Sequence, residues 1–245
     1  MIFNFLVQTI KEKGAAHIVL LDPDVKDAES IHKRVENANL AGVDALFVGG
    51  SLMMDRKCSE RAKKIKEISK IPVILFPGGI GQLNEYYDAM LFMSFISGRN
   101  PQYLIGDQVL AAPIVKDMKM ETIPTGYILM DGGSGSMVEY VSNTRPIPMN
   151  RIDLVSAHAL AGQYLGMKLI YLEAGSGAKI PIHKSVINTI KNLIEIPIIV
   201  GGGIRSPELA RSAVDAGAGI IVTGTIMEDD PSCMKEFVDA IHIKL

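Results

Sequence analysis

Glycine is concentrated in three short clusters of the later part of the chain: Gly175-Ser176-Gly177, Gly201-Gly202-Gly203 and Gly224-Thr225. A residue without a Cβ lets backbone amides come close to an anion, and a helix that starts just beyond adds a favourable dipole, so such clusters suit a phosphate group. Ser206-Pro207-Glu208, after the triple glycine, reads as a helix start with Ser206 as cap and Pro207 in the first turn. Beside the first cluster stands Glu173, whose carboxylate can accept a proton from a substrate hydroxyl or orient it; pairing with Arg205 or a nearby lysine is the structural alternative. Earlier in the chain, Asp22-Pro23-Asp24 offers carboxylates, and Ser51 follows Val48-Gly49-Gly50 with a hydroxyl. Magnesium takes one or two carboxylates and completes its shell with water and phosphate oxygens, which makes Asp22 the stronger metal candidate and Ser51 a supplement. The alternative for this turn is that Asp22 and Asp24 only cap backbone amides. His17, His32, His158, His183 and His242 show no ligand spacing. The glycine-serine segment from Asp131 to Ser136 reads either as a contact for diphosphate or as an ordinary long turn.

These residues need a scaffold that brings distant segments to one place. Eight short apolar runs, His17 to Asp22, Ala45 to Gly50, Pro72 to Pro77, Met90 to Ile96, Pro124 to Met130, Lys168 to Ala174, Pro197 to Gly202 and Gly219 to Thr223, alternate with amphipathic stretches. The helix candidates include Ala28 to Leu40, Ser59 to Ser69, Ile152 to Leu165, Pro207 to Ala216 and Cys233 to Ile241. Strand-helix alternation builds a parallel sheet, and runs that are apolar on both faces, such as Pro197-Ile-Ile-Val200, fit strands covered by helices outside and packed side chains inside. Eight units predict an α/β fold, a single (β/α)₈ TIM barrel over residues 1–245, with phosphate-binding loops after strands 6 to 8 at the carboxyl face. The connection from Ser97 to Thr122 is long enough to hold an irregular element, which leaves a doubly wound fold with fewer strands as the alternative.

Composition bounds the partners. With 48% apolar and 21% charged residues, the 245-residue chain can bury one large core. Its 25 basic against 27 acidic residues speak against nucleic acid, which needs a clustered basic face. Cys58 and Cys233 lie far apart without metal spacing, as expected in a reducing cytoplasm. Met1 to Gly14 reads as a short helix, and no stretch is long and apolar enough to span a bilayer, so membrane contact is expected only at the periphery.

Taken together, the segments Leu20-Leu-Asp-Pro-Asp24, Val48-Gly-Gly-Ser51, Phe95-Ile-Ser-Gly-Arg-Asn-Pro-Gln-Tyr-Leu-Ile-Gly106, Tyr171-Leu-Glu-Ala-Gly-Ser-Gly177, Val200-Gly-Gly-Gly-Ile204 and Val222-Thr-Gly-Thr225 resemble the geranylgeranylglyceryl phosphate synthase family over nearly the whole chain. The resemblance implies magnesium-dependent transfer of a prenyl group from a polyprenyl diphosphate to the C3 hydroxyl of sn-glycerol 1-phosphate. By position, Asp22 and Ser51 would hold Mg²⁺. Tyr171, Leu172, Glu173, Ala174, Gly175, Ser176, Gly177, Gly202, Gly203, Gly224 and Thr225 would hold glycerol phosphate, with Glu173 as the catalytic residue. Where some relatives carry a lysine two residues before the first aspartate, this chain has Leu20, so that phosphate contact is absent. The long segment around Asn100-Pro-Gln-Tyr103 resembles the larger, archaeal-rich group and implies geranylgeranyl diphosphate as donor, for the first ether bond of archaeal membrane lipid. A cytoplasmic homo-oligomer is the expectation. Met93, Phe95, Tyr127 and Leu129 would form the groove for the prenyl tail, although inward-facing barrel residues give the same pattern. A donor of another chain length, a sugar-phosphate isomerase or synthase and a catalytically silent phosphate-binding scaffold stay open. An apolar cavity beside the phosphate loops discriminates among these classes, because only the prenyl enzyme needs one.

Overall fold

The structure, a computed structural model, describes residues 1–24 and 28–243. Eight parallel strands close into a barrel in sequence order: β1 Ala16–Leu21, β2 Ala45–Val48, β3 Val73–Leu75, β4 Ala89–Ser94, β5 Glu121–Leu129, β6 Leu169–Glu173, β7 Ile198–Gly201 and β8 Ile220–Thr223. β8 returns to β1 through the register Ala16↔Ile220 to Val19↔Thr223. All eight expected runs are strands, each ending one or two residues short of the predicted carboxyl end or coinciding with it. Of the residues trimmed off, Asp22, Gly49, Gly50 and Gly202 line the cleft at the barrel mouth.

Ten α-helices are present among the described residues: α1 Ile2–Lys13, α2 Ala28–Ala41, α3 Cys58–Ile68, α4 Asp107–Asp117, α5 Met137–Ser142, α6 Ile152–Tyr164, α7 Lys184–Leu193, α8 Pro207–Asp215, α9 Thr225–Asp229 and α10 Met234–Ile241. The sheet alternation sorts side chains into two layers. Ile18, Phe47, Ile74, Leu91, Ile123, Leu169, Ile199 and Ile220 point inward, while Val19, Leu46, Val73, Met90, Ile128, Ile170, Ile198 and Ile221 meet the helices. Burying each such side chain contributes about 1.5–3 kcal/mol.

The crossover from β3 to β4 departs from the repeating plan. In place of an α-helix it has one 3₁₀ turn, Ile80–Gln82. The sequence there, Phe76-Pro-Gly-Gly-Ile-Gly-Gln82, joins a proline to three glycines, the residues least able to sustain a helix. The barrel wall is therefore thin on this side. The long β4–β5 connection, by contrast, is helical: a π-type turn, Gln102–Gly106, runs into α4.

The amino end of the barrel is closed by α1. Leu6 is buried among the inward layer, with Ile2, Phe3 and Ile10 packed beside it. The backbone N–H groups of Ile2 and Phe3 donate to the carboxylate of Glu121, the first residue of β5, which caps the helix from across the barrel floor. Nearby, the buried Asp44 accepts hydrogen bonds from Lys13, from the backbone of His17 and from His242, tying α1, β1 and the chain beyond α10 to the start of β2. Burial alone would raise the Asp44 carboxyl, but these donors outweigh it and hold it below the ordinary carboxylate range.

Candidate functional site

β6 delivers the chemistry. Leu169, Tyr171 and Glu173 share its inward parity, so Glu173 stands at the top of the barrel interior, 8% exposed. Its Oε1 accepts the Gly175 N–H at 2.7 Å, and Oε2 lies on the side of the Tyr171 hydroxyl. Burial pushes the Glu173 carboxyl up to about 7, against the lowering pull of the Gly175 N–H and the nearby Tyr171 hydroxyl. That hydroxyl has no well-aligned partner, although it lies beside Glu173 Oε2: a Cβ placed on Gly201 would meet the two at 2.5 and 3.0 Å. Because it titrates near neutrality, Glu173 has the property required of a general base.

The glycine loops surround this carboxylate. Gly202 and Gly203 adopt φ of +84° and +72°, and a Cβ on Gly202 would lie 2.5 Å from Glu173 Oε1. Only glycine fits there. The backbone N–H groups of Gly177, Gly202, Gly203, Gly224 and Thr225 donate to no protein acceptor among the described residues. Those five residues line one cleft of about 380 Å³ with Tyr171, Glu173 and Ser176. Converging free amides of this kind, with α8 and α9 starting just behind them, form an anion cradle. Ser206 caps α8 as expected, accepting the Leu209 N–H.

Across the cleft lie Asp22 and Ser51. Asp22 Oδ1 accepts the Asp24 N–H at 2.8 Å, which leaves Oδ2 without a hydrogen bond among the described residues. Burial raises the Asp22 carboxyl, the Asp24 N–H lowers it, the Asp24 charge raises it, and Arg34 and Arg61 lower it; the net direction is upward. Such a carboxylate gains from a cation. Among the described residues no cluster of three His, Cys, Asp or Glu side chains exists, so the donor set here is sparse and made of hard oxygens. It fits an ion such as magnesium, which relies on water and substrate phosphate for most of its shell.

A second cavity, an apolar channel of about 120 Å³, opens where the β3–β4 helix is missing. Pro77, Ile80 and Leu83 form one wall, Met93, Phe95 and Tyr127 the barrel side, Tyr103 and Ala111 the α4 side, and Val138 and Val141 of α5 the roof. Gly50, Ser51, Phe76, Tyr127 and Val138 line both cavities, so the channel and the cleft adjoin. Phe76, Tyr127 and Tyr171 pack at 5.4–6.3 Å between ring centres to make an aromatic floor where the two meet.

A family model described as the PcrB family matches residues 7–242. The chain belongs to the PcrB family. Among relatives, the geranylgeranylglyceryl phosphate synthase of Chitinophaga pinensis is 45% identical over 98% of this chain and 96% of its own length. That of Thermococcus gammatolerans is 46% identical over 91% and 88%. The crystal structure of (S)-3-O-geranylgeranylglyceryl phosphate synthase from Thermoplasma acidophilum, in complex with sn-glycerol-1-phosphate, superposes with a TM-score of 0.93 at 34% identity, over 99% of this chain and 98% of that one.

Within this PcrB family member, ten of the thirteen expected site residues line the cleft: Asp22, Ser51, Tyr171, Glu173, Ser176, Gly177, Gly202, Gly203, Gly224 and Thr225. Leu172 and Ala174 do not, because the strand alternation turns their side chains into the helix-facing layer, and Gly175 acts from behind by holding Glu173. Leu129 is likewise absent from the channel; it is fully buried in the barrel interior. In the Asp131–Ser136 loop, Asp131 accepts the Gly133 N–H, Gly132 accepts those of Lys179 and Ile180, and Ser136, which lines the cleft, forms a capping box with Glu139. Arg205 does not pair with Glu173. Its guanidinium reaches the carbonyls of Gly177 and Ala178 instead.

Proposed function

We propose that this chain is a magnesium-dependent geranylgeranylglyceryl phosphate synthase, joining a geranylgeranyl group to the C3 hydroxyl of sn-glycerol 1-phosphate with release of diphosphate. The observation that carries this reading is that a cradle of free backbone amides around Glu173 adjoins an apolar channel through shared lining residues. A sugar-phosphate isomerase has no use for such a channel. The relatives' name and the glycerol phosphate bound by the T. acidophilum enzyme support the same reading.

In this mechanism the amides of Gly177, Gly202, Gly203, Gly224 and Thr225 bind the acceptor phosphate, and the acceptor hydroxyl lies against Glu173. The channel walls from β3–β4, α4 and α5 hold the prenyl tail and exclude water, so the allylic carbon faces the hydroxyl rather than solvent. Asp22 and Ser51 would hold Mg²⁺, which supplies charge neutralisation for the departing diphosphate. The allylic C–O bond breaks with its electron pair going to diphosphate. The C3 oxygen then forms the ether bond and gives its proton to Glu173, whose elevated pKa suits that transfer. Phe76 and Tyr127 line the cleft, and their rings offer π-electron density to the positive charge that develops on the prenyl group. Both cysteines are free, which supports a reducing compartment such as the cytoplasm.

The test is incubation with Mg²⁺, sn-glycerol 1-phosphate and radiolabelled geranyl, farnesyl, geranylgeranyl and longer diphosphates. The expected result is an acid-stable prenylglyceryl phosphate formed fastest with the geranylgeranyl donor. No ether product from any donor would refute the reading.

A further inference from the structure

The cleft poses a charge problem. Among its described lining residues, Asp22 and Glu173 are carboxylates, the cradle amides are neutral, and Arg205 is the one cationic side chain. A phosphate monoester brings a charge of about −1.5 to −2 near neutral pH. Leu20 lines the wall from β1 and supplies no charge. Arg61 is held by Asp55 through two hydrogen bonds, and neither it nor Arg34 lines the cleft.

Arg205 is placed to meet the deficit. It follows the triple glycine of β7 and precedes Ser206, whose hydroxyl caps α8, so its backbone is anchored on both sides. One guanidinium nitrogen, Nη2, donates to the carbonyls of Gly177 at 3.2 Å and Ala178 at 3.3 Å, bridging the β7 loop to the β6 loop. Its Nε and Nη1 donate to no acceptor among the described residues. The loops it bridges carry three of the free amides, those of Gly177, Gly202 and Gly203.

We propose that Arg205 is a binding residue for the acceptor's phosphate, its guanidinium clipped to the β6 loop by Nη2 and pairing with the anion through its remaining N–H groups. The proposal rests on the glycerol phosphate reading given above. A charge-assisted guanidinium–phosphate contact adds both attraction and geometry to a cradle of neutral dipoles.

Arg205→Gln removes the charge and the fork, whereas Arg205→Lys keeps the charge. Calorimetric titration with sn-glycerol 1-phosphate and, separately, with inorganic phosphate, at low and near-physiological salt, compares both variants with the parent protein, with thermal melting as a check on folding. Arg205→Gln should weaken each anion by about ten- to a hundredfold and flatten the salt dependence. Arg205→Lys should recover most of the loss. In turnover, the acceptor KM should rise while kcat and the donor KM stay nearly constant, the pattern of lost uniform binding. Unchanged affinity in Arg205→Gln would overturn the proposal. A lysine variant as weak as the glutamine variant would overturn it too, assigning Arg205 to the loop clip alone. If the parent protein failed to bind glycerol phosphate while inorganic phosphate still depended on Arg205, the acceptor assignment would fall and the anion-binding role would stand.

Discussion

Replacing Glu173 by glutamine should separate stability from activity in a pH-dependent way. The carboxyl ionises near pH 7 in the folded chain, against an ordinary value of 4.5, because it is buried. A group whose folded pKa is raised contributes stability that is fully present below its unfolded pKa and is lost as pH rises through the folded one. Over an interval of about 2.5 pH units at about 1.4 kcal/mol per unit, the loss amounts to about 3 kcal/mol. Glutamine carries no titrating proton and can still accept the Gly175 N–H through its amide oxygen. The variant should therefore melt close to the parent at pH 4.5 and above it at pH 8, by about 6–12 °C for a chain of this size. Turnover should move the other way, falling by roughly two to four orders of magnitude if Glu173 is the base. Below pH 7 the parent's own kcat/KM for the acceptor should decline as its base form is protonated. Melting curves of both proteins from pH 4.5 to 8, beside single-turnover rates, make the comparison. A melting difference that does not change with pH would refute the buried, raised carboxyl, and wild-type turnover in the folded variant would refute its role.

Asp22→Asn should depress magnesium-dependent turnover far more than calorimetric affinity for glycerol phosphate, and Ser51→Ala should do the same more mildly; unchanged turnover and metal dependence would make the Asp-Pro-Asp turn merely structural. Gly202→Ala must place a Cβ 2.5 Å from Glu173 Oε1 at a φ of +84°, which costs about 1–2 kcal/mol in backbone strain alone. Binding of glycerol phosphate should be lost in that variant, and retained affinity would remove Gly202 from the cradle. Ala111→Phe fills the channel from α4, where Ala111 is 6% exposed; competition among labelled donors should show a shift toward farnesyl and geranyl diphosphate, and an unchanged preference would place the tail elsewhere.

The barrel was legible because the strand signal is local: each apolar run carries its own boundaries, and all eight were found. That the Asp22 turn, the glycine loops and Glu173 line one cleft was readable for a related reason, since strand ends in a parallel barrel share one face whatever the packing. What escaped depends on neighbours. Leu129 and Phe95 look alike in a list of apolar residues, yet one fills the interior and the other lines the channel. The inner face of α4, with Ala111, is selected only by how the helix docks. The lack of an α-helix between β3 and β4 is announced by Pro77, Gly78, Gly79 and Gly81, and no helix candidate was named there. Arg205 entered the sequence reading only as a partner for Glu173, because its actual partners are carbonyls that any residue could supply.

The capping of α1 by Glu121 has a temporal side. The two partners in that contact are 119 positions apart. At about 5–20 residues per second, a ribosome needs on the order of ten seconds to travel between them. Helix–coil exchange is far faster, and a helix of 12 residues is marginal in isolation. The first helix to be made therefore waits until mid-synthesis for its cap: its leading amides acquire their acceptor only when β5 has emerged and taken its place in the ring, so the plug in the barrel floor registers that about half of the chain has arrived.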